Sequence, residues 1–169
     1  MKKVVRRGLP YMHMGYLLII VIITTVFGAL TTIGASAEVT FDTSPYTYNG
    51  ETGVTITGFN GLNRGETVTI PDEIDGKPVL AIGLPGVVTT TRIPGADKIG
   101  KLETTQTTNL KAILPFAFYY CDGLTSFSAE NLETVGDRAF WSCTRLTSFS
   151  APNLETVGSS AFEDNDSCR

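Results

Sequence analysis

The chain has 169 residues, 42% of them apolar and 18% charged, with 13 basic against 17 acidic side chains and a formal charge of −4. An acidic balance argues against electrostatic capture of nucleic acid or of an anionic bilayer. The single histidine, His13, leaves little for the triad and zinc chemistries that depend on imidazole.

Residues 1–37 read as a secretory signal peptide. Lys2, Lys3, Arg6 and Arg7 make a basic start, an apolar stretch follows from Leu17 to Ile33, and Ala35-Ser36-Ala37 offers a cleavage site before Glu38. An uncleaved anchor is the alternative, because the apolar stretch approaches the roughly 20 residues that span a bilayer. Thr24, Thr25, Thr31 and Thr32 dilute it. Cleavage after Ala37 leaves 132 of the 169 residues, with nine basic and 17 acidic side chains, a net charge of −8 and no histidine. The expected location is secreted or at the cell surface, with membrane contact only through the leader if it is retained.

Residues 38–83 read as a β-rich N-terminal cap. Val54–Thr57 and Thr67–Ile70 alternate β-branched residues, Phe59-Asn60-Gly61 marks a turn, and Pro71 ends the second strand. An Asp75-Gly76 turn and Lys77-Pro78 then lead into Val79–Ile82. Residues 84–101 carry three glycines and two prolines and fit either a degenerate coil or a surface loop.

From Leu102 to the end the chain repeats itself. Leu124–Arg145 and Leu146–Ser167 are identical at 14 of 22 positions. Setting Leu102 against Leu124 adds a worn unit, which aligns Asn109-Leu110 with Asn131-Leu132, Ala117-Phe118 with Ala139-Phe140, and Cys121 with Cys143. A tandem period in the twenties predicts a solenoid, because one unit cannot bury its apolar face without a neighbour. Leu124, Phe127 and Ala129 form a short inward-facing strand and corner, Leu132 and Val135 cover the next side, Gly136 permits a bend, and Ala139, Phe140 and Cys143 return to the interior. The predicted fold is a mainly β, right-handed stack of coils. Its core ladder is Leu102, Leu124 and Leu146, then Phe118, Phe140 and Phe162, then Cys121 and Cys143.

The run from Asn131 onward, N-L-E-T-V-G-x-x-A-F-x-x-C-x-x-L-T-S, resembles the motif of the BspA-like leucine-rich repeat family. The segment Val68–Gly83 is similar to the lead that often precedes that family's first coil. Residues 84–101 and Asn165, which stands where a cysteine belongs, depart from the pattern. The resemblance implies a secreted or cell-surface protein that serves adhesion or ligand binding.

Few residues suggest chemistry. Cys121 and Cys143 share a slot in adjacent coils, about 4.7–4.9 Å apart as stacked strands are, so both a disulfide and a buried ladder of free thiols are open. The apolar slot and the parallel side-chain directions favour the ladder. Cys168 has no partner by count, and either bridges to another molecule or is incidental near the chain end. A nucleophilic cysteine would need a base or cation beside it, whereas Arg138 and Arg145 belong to exposed turns. Glu163–Asp166 gathers oxygen ligands but lacks the glycine and distal glutamate of an EF-hand. Asn165-Asp166-Ser167 is a glycosylation sequon, relevant only in a eukaryotic host, whereas the leader looks bacterial. Asp72, Glu73 and Asp75 decorate a turn without forming an acid–base pair. The expectation is therefore no catalytic residue, no cofactor and no metal.

What remains is the outward row of the repeats: Thr125, Ser126, Ser128 and Glu130 beside Thr147, Ser148 and Ser150. Such hydroxyls can hydrogen-bond a protein or glycan ligand, although solvent-facing strands carry them without any ligand. No aromatic residue stands among them to stack on a sugar. A second expectation is structural: a fragment of a larger repeat protein that self-associates through an uncapped last coil.

Overall fold

The computed structural model describes residues 2–4, 38–86, 91–105 and 109–165. The apolar stretch and cleavage motif of the expected leader lie outside the described residues, as do Asp166, Ser167 and Cys168. Among the described residues no helix is long and apolar enough to cross a membrane.

Short strands dominate. They are β1 (Lys2–Val4), β2 (Thr40–Tyr48), β3 (Glu51–Asn60), β4 (Glu66–Ile70), β5 (Glu73–Ile74), β6 (Lys77–Ile82), β7 (Ile99–Thr104), β8 (Ala112–Ile113), β9 (Ser126–Ser128), β10 (Thr134–Val135), β11 (Ser148–Ser150) and β12 (Thr156–Val157). One turn of 3-10 helix, Ala96–Lys98, precedes β7. In one sheet β1, β2 and β3 pair antiparallel, and β3, β6, β8, β10 and β12 then follow in parallel, with β5 on the edge of β6. The other sheet is β4, β7, β9 and β11, all parallel. Parallel neighbours need a crossover between them, and here each sheet supplies the other's crossover, so the chain winds as a coil.

The coil has a third side, zipped mainly by backbone bonds. The amides of Phe116, Phe118 and Tyr120 donate to the carbonyls of Asp137, Ala139 and Trp141 at 3.1, 2.8 and 2.9 Å. One coil on, Arg138, Phe140 and Ser142 donate in the same way to Ser159, Ala161 and Glu163. Three ladders of this kind satisfy the main chain with little regular structure in any one of them.

Apolar side chains from all three sides meet in one core that runs from Val39 and Phe41 to Ala161. Its axis is a double column of phenylalanines. Phe118 stacks on Phe140 at 5.1 Å between centroids, Phe140 on Phe162 at 5.3 Å, and Phe127 on Phe149 at 5.1 Å. The two columns meet edge to face, as between Phe127 and Phe140 at 5.1 Å and 72°. Offset stacks and edge contacts at these distances suit the ring quadrupoles and add about 0.5–1.5 kcal/mol each beyond simple burial.

The register corrects one alignment made from sequence. Leu102 pairs with Phe127, not with Leu124, and Ser126 lies opposite Lys101. The Thr125 amide donates to the Gly100 carbonyl as the Thr147 amide donates to Thr125, so the corner slot of Leu124 and Leu146 belongs to buried Ile99. Offsets are 25 residues on this side but 22 on the next, where Ala112 and Ile113 face Thr134 and Val135. Three extra residues between β7 and β8 account for the difference, and a single 22-residue frame cannot represent them. The stretch 84–101 therefore ends inside a stacked strand, since β7 begins at Ile99.

Gly136 also has a different role from the expected bend. Its φ is not among the positive values, but a Cβ there would come within 2.6 Å of the Pro115 nitrogen. Glycine allows the coils to touch at this point. The true bends are non-glycine residues with positive φ: Phe116 and Tyr120, Arg138 and Ser142, Ser160 and Asp164.

The N-terminal end is covered by the hairpin of β2 and β3, joined at Asn49 (φ 48°) and Gly50 (φ 88°). Two positive φ values in an Asn-Gly pair make the tight turn whose twist matches the strands. Alternation picks out Val54–Thr57 within β3 but passes over β2, where Pro45 interrupts the run. Phe41 and Phe59 bring this hairpin into the core at 5.7 Å, and Phe59 continues to Phe118 at 6.5 Å. The Tyr48 hydroxyl, next to the turn, lies 3.0 Å from that of Thr134.

Candidate functional site

The outward row lies on the four-stranded parallel sheet. Period-two alternation sends Phe127 and Phe149 inward and their serine neighbours outward. Register places Thr67, Lys101, Ser126 and Ser148 in one line, and Thr69, Glu103, Ser128 and Ser150 in a second. Ser128, Ser148 and Ser150 are exposed and Ser126 is half-buried. Lys101 and Glu103 pair at 2.6 Å on the same face. Two of the expected residues have a task within the fold: the Thr125 hydroxyl donates to the Gly100 carbonyl at 2.7 Å, and that of Thr147 to the Thr125 carbonyl at 3.2 Å. Glu130 is exposed, and its carbonyl accepts from Asn153 at 2.9 Å.

The cysteine slot is closed to solvent. Cys121 and Cys143 are free and buried, and the Cys143 thiol donates to the Phe118 carbonyl at 3.0 Å. Asn165 occupies the slot in the last coil, and its Nδ2 donates to the Phe140 carbonyl at the same 3.0 Å. Thus the apparent break in the motif keeps the bond that the slot provides. Burial raises the Cys143 thiol from 9.0 to about 12, against a hydrogen bond from the Cys121 backbone that lowers it, and burial with the neighbouring Cys143 pushes Cys121 up as well. Thiolate chemistry has no foothold here.

The ladder side carries a feature that the sequence reading does not find. Tyr119 stacks on Trp141 at 4.9 Å and 17°, while Tyr120 stands edge-on to Trp141 at 4.7 Å and to Tyr119 at 4.6 Å. Phe116 joins Tyr119 at 5.4 Å, with the Arg138 guanidinium 6.0 Å from the Phe116 ring centroid. Tyr120 is 48% exposed. Beside it opens a groove of about 380 Å³ lined by Arg64, Arg92, Asp97, Tyr120, Asp122, Ser142 and Thr144. Arg64 pairs with Asp122 at 3.3 Å and Arg92 with Asp97 at 3.4 Å. The signal was present as Phe116-Ala117-Phe118-Tyr119-Tyr120 and Trp141, but those residues fall between core positions of the repeat and read as turn.

A second groove, of about 440 Å³, is lined by Lys111, Asn131, Glu133, Pro152, Asn153, Leu154 and Glu155, with Lys111 and Glu133 paired at 2.6 Å. Among the described residues no three acidic, cysteine or histidine side chains converge as a metal site would require.

Coils that place one strand in each of two parallel sheets around a shared apolar column make this a leucine-rich repeat solenoid. Residues 97–169 match the family model described as a BspA type leucine rich repeat region of 6 copies. Repeats of this family typically serve protein binding and adhesion, and often stand on surface proteins. Among solved structures, the chain is similar to the T. pallidum leucine rich repeat protein, at 22% identity and a TM-score of 0.48, over 75% of this chain and 65% of that one. The chain therefore spans about two thirds of that protein's length. No curated protein matches it in sequence.

Proposed function

We propose that the protein is a non-catalytic binding protein, secreted or held at a cell surface, that engages a protein ligand along its four-stranded parallel sheet. The observation that carries this reading is the alignment of Ser126 with Ser148 and of Ser128 with Ser150 on a face formed by four stacked strands. Rows of small hydroxyls let an extended ligand make the same modest contact at each coil, so affinity accumulates along the stack. Signal-peptide features before Glu38 support export, and the lack of an assignable acid–base pair supports a binding role.

Immobilised extracellular-matrix proteins and glycans, titrated with the purified chain, test the proposal. Saturable binding to a matrix protein that disappears in Ser128→Arg/Ser150→Arg supports it. Matrix-protein binding unaffected by that pair, or no binding to any matrix protein, counts against it, whereas glycan binding alone does not bear on the sheet face.

A second reading rests on the last described coil. Val157 is 52% exposed, Phe149, Leu154 and Phe162 are half-buried, and the Asn165 Oδ1 is buried without a hydrogen-bond partner. An open coil of this kind favours assembly with another copy through its edge. Light scattering decides it: mass rising with concentration supports assembly, and a monomer at every concentration opposes it.

A further inference from the structure

Tyr120 sits in a left-handed backbone conformation, φ 57°, that is unfavourable for a bulky residue. The turn itself does not require an aromatic ring, because the equivalent positions one and two coils on hold Ser142 (φ 55°) and Asp164 (φ 60°). Phe116, in the neighbouring left-handed position, is buried, and burial offsets its strain. Tyr120 remains 48% exposed, its covered half resting edge-on against Tyr119 and Trp141. A tyrosine at a turn position that holds serine and aspartate in the next two coils thus leaves half of its surface open to a ligand.

The surroundings define the use. Tyr120 lines the groove and is backed by Tyr119 and Trp141, and each of the groove's two arginines is already matched by an aspartate. Both ion pairs are open to solvent and so contribute little to stability. Together with Ser142 and Thr144 they offer alternating donors and acceptors at no net charge. An anion would find no excess of positive charge, and an apolar peptide would strip water from four charged groups without replacing it. A neutral sugar fits both parts: its C–H face lies on an aromatic ring, and its hydroxyls both give and accept hydrogen bonds. The groove volume of about 380 Å³ lies within the range of small-molecule sites.

We propose that the aromatic cluster of Tyr119, Tyr120 and Trp141, with the adjoining Arg64–Asp122 and Arg92–Asp97 groove, binds a neutral saccharide. This site is on a different side of the coil from the serine rows and does not depend on their role.

Trp141 is the chain's single tryptophan, so its fluorescence reports on the site directly. The full chain is titrated with neutral glucose, galactose and N-acetylglucosamine oligomers and with a sulfated oligosaccharide, up to about 10 mM, where weak saccharide contacts still register. The expected result is a saturable change with at least one neutral oligomer, weakened about tenfold or more in Tyr120→Asn. Asparagine tolerates the left-handed conformation, so this variant should keep the parent's circular dichroism and melting cooperativity while losing the sugar. Ser128→Arg/Ser150→Arg should bind the sugar as the parent does, which separates this site from the sheet face. Three results would overturn the proposal: no saturable change with any neutral oligomer, preference for the sulfated one, or full affinity in folded Tyr120→Asn.

Discussion

At the scale of single residues, Phe140 sits where the two phenylalanine columns meet. It stacks between Phe118 and Phe162 and meets Phe127 and Phe149 edge-on. Phe140→Ala should therefore lose about 3–5 kcal/mol of unfolding free energy, measured by denaturant titration. Phe162→Ala, at the half-buried end of the column, should lose clearly less. The two thiols give a pH signature. Both have folded values raised above 9.0, that of Cys143 to about 12, so the folded state holds protons that the unfolded chain releases. Stability is then full below pH 9 and falls as pH rises toward the folded values, by up to about 1.4 kcal/mol per unit for each thiol. Unfolding midpoints at about pH 8 and about pH 10 should separate more in the parent than in Cys121→Ala/Cys143→Ala. These core positions were legible in sequence because they recur. Asn165 was legible only as a departure, since a shared hydrogen-bond acceptor, the carbonyl of the preceding coil, is invisible in a residue pattern.

Among elements, the closest contacts are between coils at glycine. Gly136→Ala places a methyl within 2.6 Å of a backbone nitrogen that cannot rotate away. It should cost about 1–3 kcal/mol in thermal or chemical unfolding, as overpacking does. Gly50→Ala is the useful contrast, because nothing lies within 4 Å and only the positive φ of 88° opposes it. That change should cost about 1 kcal/mol through the backbone alone. Strand identity followed from alternation where β-branched residues were dense, as in β3, β4 and β6. Register did not, because the offset between β7 and β9 differs by three residues from that between β8 and β10. Only the hydrogen bonds of Gly100 and Thr125 reveal that Ile99, and not Leu102, fills the corner.

Over the whole molecule, periodicity disclosed the architecture before any contact was known, because a solenoid repeats its core in the chain itself. Surface function was less legible. The serine rows could be named from alternation, whereas the aromatic groove combines Arg64, Arg92 and Asp97 with Tyr120 and Asp122, distant in sequence and joined only by winding. Both proposed binding faces depend on coils stacking at one fixed rotation around the phenylalanine column. Nuclear Overhauser contacts between ring protons of Phe118, Phe140 and Phe162, assigned with single Phe→Leu variants, test that arrangement most directly. The structure predicts strong contacts from Phe140 to each of the other two and none between Phe118 and Phe162. Absence of the Phe140 contacts, or a direct contact between the outer pair, would contradict it.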